Sequence, residues 1–470
     1  MVFSSILFLF FFMPLFMLAY FLVPFKFKNF VLLIFSLFFY AWGEPIYITL
    51  MIFSSVVDYC NGRLIQKYHN RTTLKKIFMV LSVITNLSLL GFFKYADFAV
   101  ELVNDIFGLS ITQPEIALPI GISFFTFQTM SYSIDVYRGN IKPEHNFLTF
   151  MTYVCMFPQL IAGPIVRYST VHAELHKREH SYSNFTTGMF IFLEGLFKKV
   201  LIANTMGLLW DTINASGEIS VAAAWLGSIA YTFQIYFDFS GYSDMAKGIG
   251  RMLGFTYPDN FNYPFIAKSI TDFWRRWHMT LSTWFRDYLY IPLGGNRVSK
   301  AKHIRNLLIV WALTGLWHGA SLNFVLWGLL FGIVLILEKY VWGKVLDKTP
   351  ALFRHIYTML IVIFSFTIFV FDDLSALGSY LKVEFFMTSN PLINPEFFDL
   401  LVNFGFMLVV ATLLSTPISK PIKKFLAGVK SKPAKALVGV GSFVFYVGLF
   451  LVCTAYLVND TYNPFLYFRF

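Results

Sequence analysis

Two histidines stand where histidine is costly. His318 occurs in the run WALTGLWHGASLNFVLWG at 311–328. It lies about a dozen residues into the apolar stretch 307–335, which at 1.5 Å rise per residue is roughly half-way across a bilayer. Read as one helix, that stretch places Trp311, Thr314, Gly315 and His318 on a single stripe with Gly319 next, so that small residues clear space beside the imidazole. Ionisable groups at such depth tend to line cavities and transfer pathways. An imidazole, whose unperturbed pKa is about 6.5, suits a general base there, because a dry setting favours its neutral, proton-accepting form. A histidine hydrogen-bonded to a neighbouring helix for packing is the plainer alternative.

His278 lies in ITDFWRRWHMTLSTWFRDYLYIPLGGNR at 270–297. As a helix, this run gathers Trp274, Trp277, Leu281, Trp284 and Tyr288 within about 80° of one another and turns Arg275, Arg276 and Arg286 away. Such a helix lies in the membrane interface, with His278 at the edge of the aromatic stripe, either a plain interfacial histidine half in water or a functional one. Arg275, Arg276 and Arg297, with Lys302 and Arg305, form a solvated basic face or hold a phosphorylated donor, since guanidinium groups match phosphate geometry. The stretch FDFSGYSDMAKGIGRMLGF at 237–255 reads as a loop that brings Asp238 and Asp244 to a membrane boundary. With Trp317, they are the supporting candidates. FPQLIAGPIVRY at 157–168 has the Gly-Pro punctuation of a broken helix. No Gly-x-Ser-x-Gly elbow, phosphate-binding loop or metal-ligand spacing is visible, so neither a metal nor a bound cofactor is expected.

The elements that must position these residues follow from composition. Of 470 residues, 57% are hydrophobic and 13% charged. Soluble domains carry about 25% charged residues, so this is an integral membrane protein. Apolar stretches recur near 2–23, 29–42, 46–60, 77–98, 116–134, 147–163, 186–209, 221–239, 307–335, 355–371, 400–416 and 436–457. Several are short or interrupted by Gly and Pro, so roughly ten to twelve spanning or re-entrant helices are expected around a cavity or tunnel. The class is all-α, as one membrane domain over 1–470 with a distinct tail at 463–470. The first segment lacks the basic flank and small-residue cleavage site of a removable signal peptide. Cys60, Cys155 and Cys453 have no paired spacing, which argues against a disulfide framework or a zinc site.

The net charge is +11, with Lys and Arg gathered at 26–28, 63–76, 275–305 and 420–435. The positive-inside rule puts those loops in the cytoplasm and both termini outside, as expected of a bacterial cytoplasmic-membrane protein. Basic residues dispersed among short loops suit topology and lipid headgroups, and no nucleic-acid partner is expected.

The runs LPIGISFFTFQTMSYSIDVYRG, FPQLIAGPIVRY, FDFSGYSDMAKGIGRMLGF, FWRRWHMTLSTWFRDYLYIPLGGNR and LTGLWHGASLNFVLWG occur in that order. They resemble the membrane-bound O-acyltransferase family, and more narrowly its bacterial alginate O-acetyltransferase type. The likeness is strong from about 115 to 335 and extends over the rest by length and hydropathy. It implies that His318, in the W-H-G motif, is catalytic and that His278, closing R-R-W-H, is the second family histidine.

The resemblance also bears on the last residues, NPFLYFRF. In the related teichoic acid D-alanylation system a separate small membrane peptide ends in a similar Phe-x-Tyr-Phe-x-Phe sequence, and its tyrosine is thought to carry the acyl group. Here Phe465 to Phe470 supply that pattern on the enzyme's own chain, with Tyr467 as the candidate carrier. A phenol of pKa about 10 makes an ester reactive enough to pass its acyl group on. An interfacial aromatic anchor is the alternative role. The implied reaction moves acetyl from cytoplasmic acetyl-CoA, or a related thioester, to Tyr467 with His318 as general base. An extracytoplasmic SGNH-hydrolase-like partner then esterifies a polysaccharide. D-alanyl transfer from a carrier protein to teichoic acid and a non-enzymatic polysaccharide transporter are the rival readings.

Overall fold

The computed structural model describes residues 1–161, 163–429, 431–459 and 463–466, with the side chains of Lys423, Ala427 and Lys432 excepted. Among the described residues every regular element is helical, as the composition requires. Among the described residues, five helices are long and apolar enough to cross a membrane: Thr72–Phe107, Leu322–Lys348, Ala351–Val370, Pro395–Leu414 and Pro433–Asn459. Of the other apolar stretches, most of 46–60 and all of 221–239 lie within the uninterrupted helices Ile48–Lys67 and Val221–Met252, and the rest form shorter or interrupted helices. Hydrocarbon offers no hydrogen bonds, so backbone in it must pair with itself, and helices do this locally. On Pro395–Leu414 the exposed Val402, Phe406, Val409 and Leu413 follow helical spacing, and they make the apolar stripe that lipid covers.

The chain divides into two compact units. The first comprises Met1–Phe192 and Ser243–Pro258. Its helices Ile48–Lys67, Thr72–Phe107 and Ile122–Arg138 are joined by a buried polar cluster. Asp58 accepts from the hydroxyls of Ser82 and Ser133 (2.9 Å for the latter) and from Asn86 Nδ2 at 2.6 Å. Asn86 Oδ1 in turn accepts from Ser54 and Thr129. A buried carboxylate costs several kcal/mol unless it is hydrogen-bonded, which makes this cluster the specific cement between otherwise greasy helices. The FPQLIAGPIVRY segment is a broken helix, as its Gly-Pro pair suggests: Phe157–Leu160 is a single helical turn, and helix resumes at Tyr168–His176.

The second unit comprises Leu193–Tyr242 and Asp259–Phe470. Three sequence expectations are corrected here and at the boundary helix. The stretch 237–255 is not a loop, because helix Val221–Met252 runs through most of it and carries both Asp238 and Asp244. The stretch 307–335 is not one helix. Lys300–His318 ends at the histidine, Gly319 is extended, and Leu322–Leu337 returns as the second arm of a hairpin. The stretch 270–297 is not an interfacial helix either. It breaks into Ile270–Trp274, a turn, Met279–Phe285 and a wide turn at Arg286–Tyr290, and it buries Trp274, Trp277 and Trp284. Aromatic area of this size is more stable in a core than at the interface, so the segment folds inward.

Glu384 closes the short helix Leu374–Glu384, and its side chain is fully buried. Burial pushes its pKa up to about 7, partly offset by the hydroxyl of Ser228. The folded carboxyl thus binds its proton more tightly than the unfolded one. The associated stability is fully present below about 4.5 and is lost as pH rises through about 7. Thermal unfolding in detergent is therefore expected to fall by a few degrees between pH 5.5 and 8, and Glu384→Gln should flatten that dependence. An unchanged slope in the variant would assign the pH effect elsewhere.

Candidate active site

The hairpin that ends at His318 is built on glycine. A side chain on Gly315 would collide with the Phe324 carbonyl, and one on Gly328 with the Trp311 carbonyl. The small residues near His318 thus serve the close crossing of the two arms, rather than clearing room for the imidazole as a straight helix would suggest. His318 is 7% exposed at the helix end. Its ring meets Trp317 and Trp327 edge-on, each at 5.0 Å between centroids, and Phe369 at 5.5 Å.

His278 is fully buried, not half in water. It occupies the turn between the two short helices with φ +43°, a left-handed conformation that non-glycine residues rarely take. Two neighbours hold that strain. Asn262 N–H donates to the Arg276 carbonyl at 2.9 Å, and Met279 N–H donates to the Asn260 carbonyl at 3.0 Å, so the 260–262 strip brackets the turn. The buried Glu338 caps the preceding helix, accepting from the N–H groups of Ile270 (2.7 Å) and Thr271 (2.9 Å) and from the Thr271 hydroxyl (2.7 Å). His278 Nδ1 lies 3.0 Å from Asn260 Oδ1. An amide oxygen only accepts, so Nδ1 carries the proton and Nε2 the lone pair. Burial, with His318 nearby, holds the His278 pKa well below its ordinary value. The Trp317 ring is 6.0 Å from His278 and 5.0 Å from His318, and so connects the two imidazoles.

His318 lines a pocket with Trp277, Trp327, Phe366, Phe369, Ile235, Phe239, Asp238 and Leu466. The last two join it to the tail. Asp238 pairs with Lys199 at 2.8 Å, both side chains 3% exposed. Asp238 Oδ2 also accepts from the Leu466 N–H at 2.9 Å. Lys199 Nζ donates to the Pro464 carbonyl and, at 2.9 Å, to Asn204 Oδ1. Asn204 Nδ2 donates to Asn463 Oδ1 at 3.2 Å, and the Phe465 ring lies 4.8 Å from that of Tyr242. Tyr467 itself lies outside the described residues.

The remaining candidates are dispersed. Arg276 is held by Asp272 at 2.9 Å, while Arg275 and Arg297 are exposed, and none of the three lines the pocket. Arg297 belongs to the PLGGNR turn, which Asn306 ties down through the carbonyls of Leu293 and Gly295. Asp244 falls in the first unit. Sequence reasoning missed Lys199, Asn260 and Glu338. A lysine inside the apolar stretch 186–209 was the available signal, since a cation there needs an acid.

The model of the MBOAT, membrane-bound O-acyltransferase, family matches residues 61–380. The chain belongs to that family. It is therefore a multi-pass membrane enzyme that transfers acyl groups to hydroxyls, and the transporter reading is set aside. Among relatives of this acyltransferase, the probable alginate O-acetylase AlgI of Pseudomonas aeruginosa is 43% identical over 378 residues, covering 80% of this chain and 73% of that protein. The peptidoglycan O-acetyltransferase of Helicobacter pylori is 40% identical over 372 residues, 72% and 70% of the two chains. The teichoic acid D-alanyltransferase of Bacillus subtilis is 28% identical over 268 residues, 54% and 67%.

Removing one member of a buried ion pair strands the other. Lys199→Met is expected to release Pro464 and weaken the hold on Leu466, so that carboxypeptidase trims the tail at least about tenfold faster than in the parent enzyme while the protein stays monodisperse. Equal trimming rates would deny the lysine its grip.

Proposed function

We propose that this acyltransferase moves acetyl from a cytoplasmic thioester, acetyl-CoA, to the hydroxyl of Tyr467, and that the acetyl-tyrosine then supplies an extracytoplasmic SGNH-hydrolase-like partner that O-acetylates a cell-surface polysaccharide. The observation that carries this reading is the seat of Leu466, which lines the pocket of His318 and donates its N–H to Asp238. Tyr467 is the next residue in the chain. Acetyl is favoured over D-alanyl because the relatives named as acetylating are 43% and 40% identical, against 28% for the D-alanyl enzyme.

In the proposed step, His318 takes the phenol proton as the phenolate oxygen attacks the thioester carbonyl carbon. The C–O bond forms, the C–S bond breaks, and the departing thiolate takes the proton back from the imidazolium. His278, with its Nδ1 proton committed to Asn260, presents Nε2 as a hydrogen-bond acceptor that orients the reacting groups. Arg275, Arg276 and Arg297 are proposed to receive the phosphates of the donor. Coenzyme A need not cross the bilayer.

Mass spectrometry of the C-terminal peptide, after incubating purified enzyme with acetyl-CoA, tests the relay. A single acetyl on Tyr467 is expected in the parent and none in Tyr467→Phe. In His318→Ala the labelling rate should drop by about 100-fold or more. Polymer acetylation at the parental rate by Tyr467→Phe would overturn the carrier role. Asn260→Ala should cost about 10- to 100-fold in turnover with little change in KM for the donor, because it unsettles the tautomer of His278. A change confined to KM would instead place His278 in donor binding.

A further inference from the structure

The first unit holds a cluster that the acyl-transfer site does not use. His172 and His176 are one helical turn apart on Tyr168–His176, so both rings rise from the same face, with centroids 5.0 Å apart. Glu144 reaches them from the loop that follows Ile122–Arg138, 32 positions before His176. Its Oε2 lies 2.8 Å from His176 Nε2. One ligand atom from each of the three residues can be chosen so that all lie within 4.8 Å of one another.

The surroundings fit a ligand set better than a chance meeting. Glu144 is 4% exposed, and its Oε1 is fixed by the N–H groups of His145 (2.7 Å) and Asn146 (2.8 Å). The Tyr168 hydroxyl donates to Oε2 at 2.6 Å and so accepts from His172 Nδ1 at 2.8 Å. A hydroxyl that orients both a carboxylate and an imidazole is the usual outer support of a metal site. The His176 side chain is 48% exposed, which leaves a path for an ion and room for water as a further ligand.

We propose that Glu144, His172 and His176 bind a divalent transition-metal ion. Two imidazoles and one carboxylate, with a water completing the shell, are the donor set of zinc. The bound ion would pin the 139–146 loop to the Tyr168–His176 helix, next to the break at FPQLIAGPIVRY. Arg63, which contacts the His145 ring, brings a positive charge near the site and lowers the affinity. The sequence expectation of no metal arose because one ligand is far from the other two in the chain.

The test uses the full chain, purified in detergent, stripped with chelator and freed of any histidine tag. Zinc is titrated by calorimetry, and cobalt is followed by its visible absorption as a spectroscopic substitute. One equivalent of zinc and a rise in unfolding temperature are expected. His176→Ala, a change at a half-exposed position that should leave the fold intact, is expected to weaken binding at least about tenfold. His172→Ala should do the same, while Tyr467→Phe should bind zinc as the parent does. Absence of a stoichiometric site in the parent overturns the proposal. So does zinc binding that the His172→Ala/His176→Ala double variant retains.

Discussion

A buried charge must be answered by another, and the Lys199–Asp238 pair is where that constraint governs most of this enzyme. Two ions 97% shielded from solvent cost far more in isolation than their attraction returns, unless further hydrogen bonds complete both of them. Here the completing groups are the Asn204 amide and, from the chain's other end, the Pro464 carbonyl and the Leu466 N–H. The pair and the tail are therefore interdependent. Remove the tail and the ions lose two partners; break the pair and the tail loses its register.

A second constraint acts on the backbone. Helix is the cheapest arrangement in an apolar medium, and irregular backbone survives there only where protein buries it. Both histidines sit at such breaks. His318 ends a helix whose return arm crosses at Gly315 and Gly328, and His278 holds a left-handed turn clamped by Asn260, Asn262 and the Glu338 cap. Aromatic rings fill the space around both, with Trp317 common to the two. Rigid packing of this kind helps to fix both imidazoles, and at His278 the Asn260 amide adds a polar hold.

The helical class, the polytopic character and the two histidine motifs were legible in the sequence, because hydropathy and motif spacing are local properties. The shapes of the motifs were not. Periodicity presented 270–297 as an amphipathic interfacial helix. The burial of Trp274, Trp277 and Trp284 overrode it, since apolar periodicity records which side chains want cover and not whether lipid or protein supplies it. In the same way 307–335 read as one span, because Gly319-Ala320-Ser321 breaks a helix no more loudly than many glycine-containing runs that stay helical. Asp238 was visible as a candidate, but its partner Lys199 is 39 positions away, and the pairing is a product of tertiary contact alone.

The way the tail is held bears on how a carrier residue could work. Its contacts to Lys199 and Asp238 are made by backbone atoms of Pro464 and Leu466, while the side chains of Phe465 and Leu466 pack against apolar neighbours. Backbone contacts at Pro464 and Leu466 fix the register of residues 463–466. Under the proposed relay, the acceptor is the residue that follows this anchored segment in the chain. A carrier on the same chain also sits at an effective concentration set by a few residues of tether, on the order of millimolar, which no dilute separate peptide in the same membrane could match without an affinity of its own.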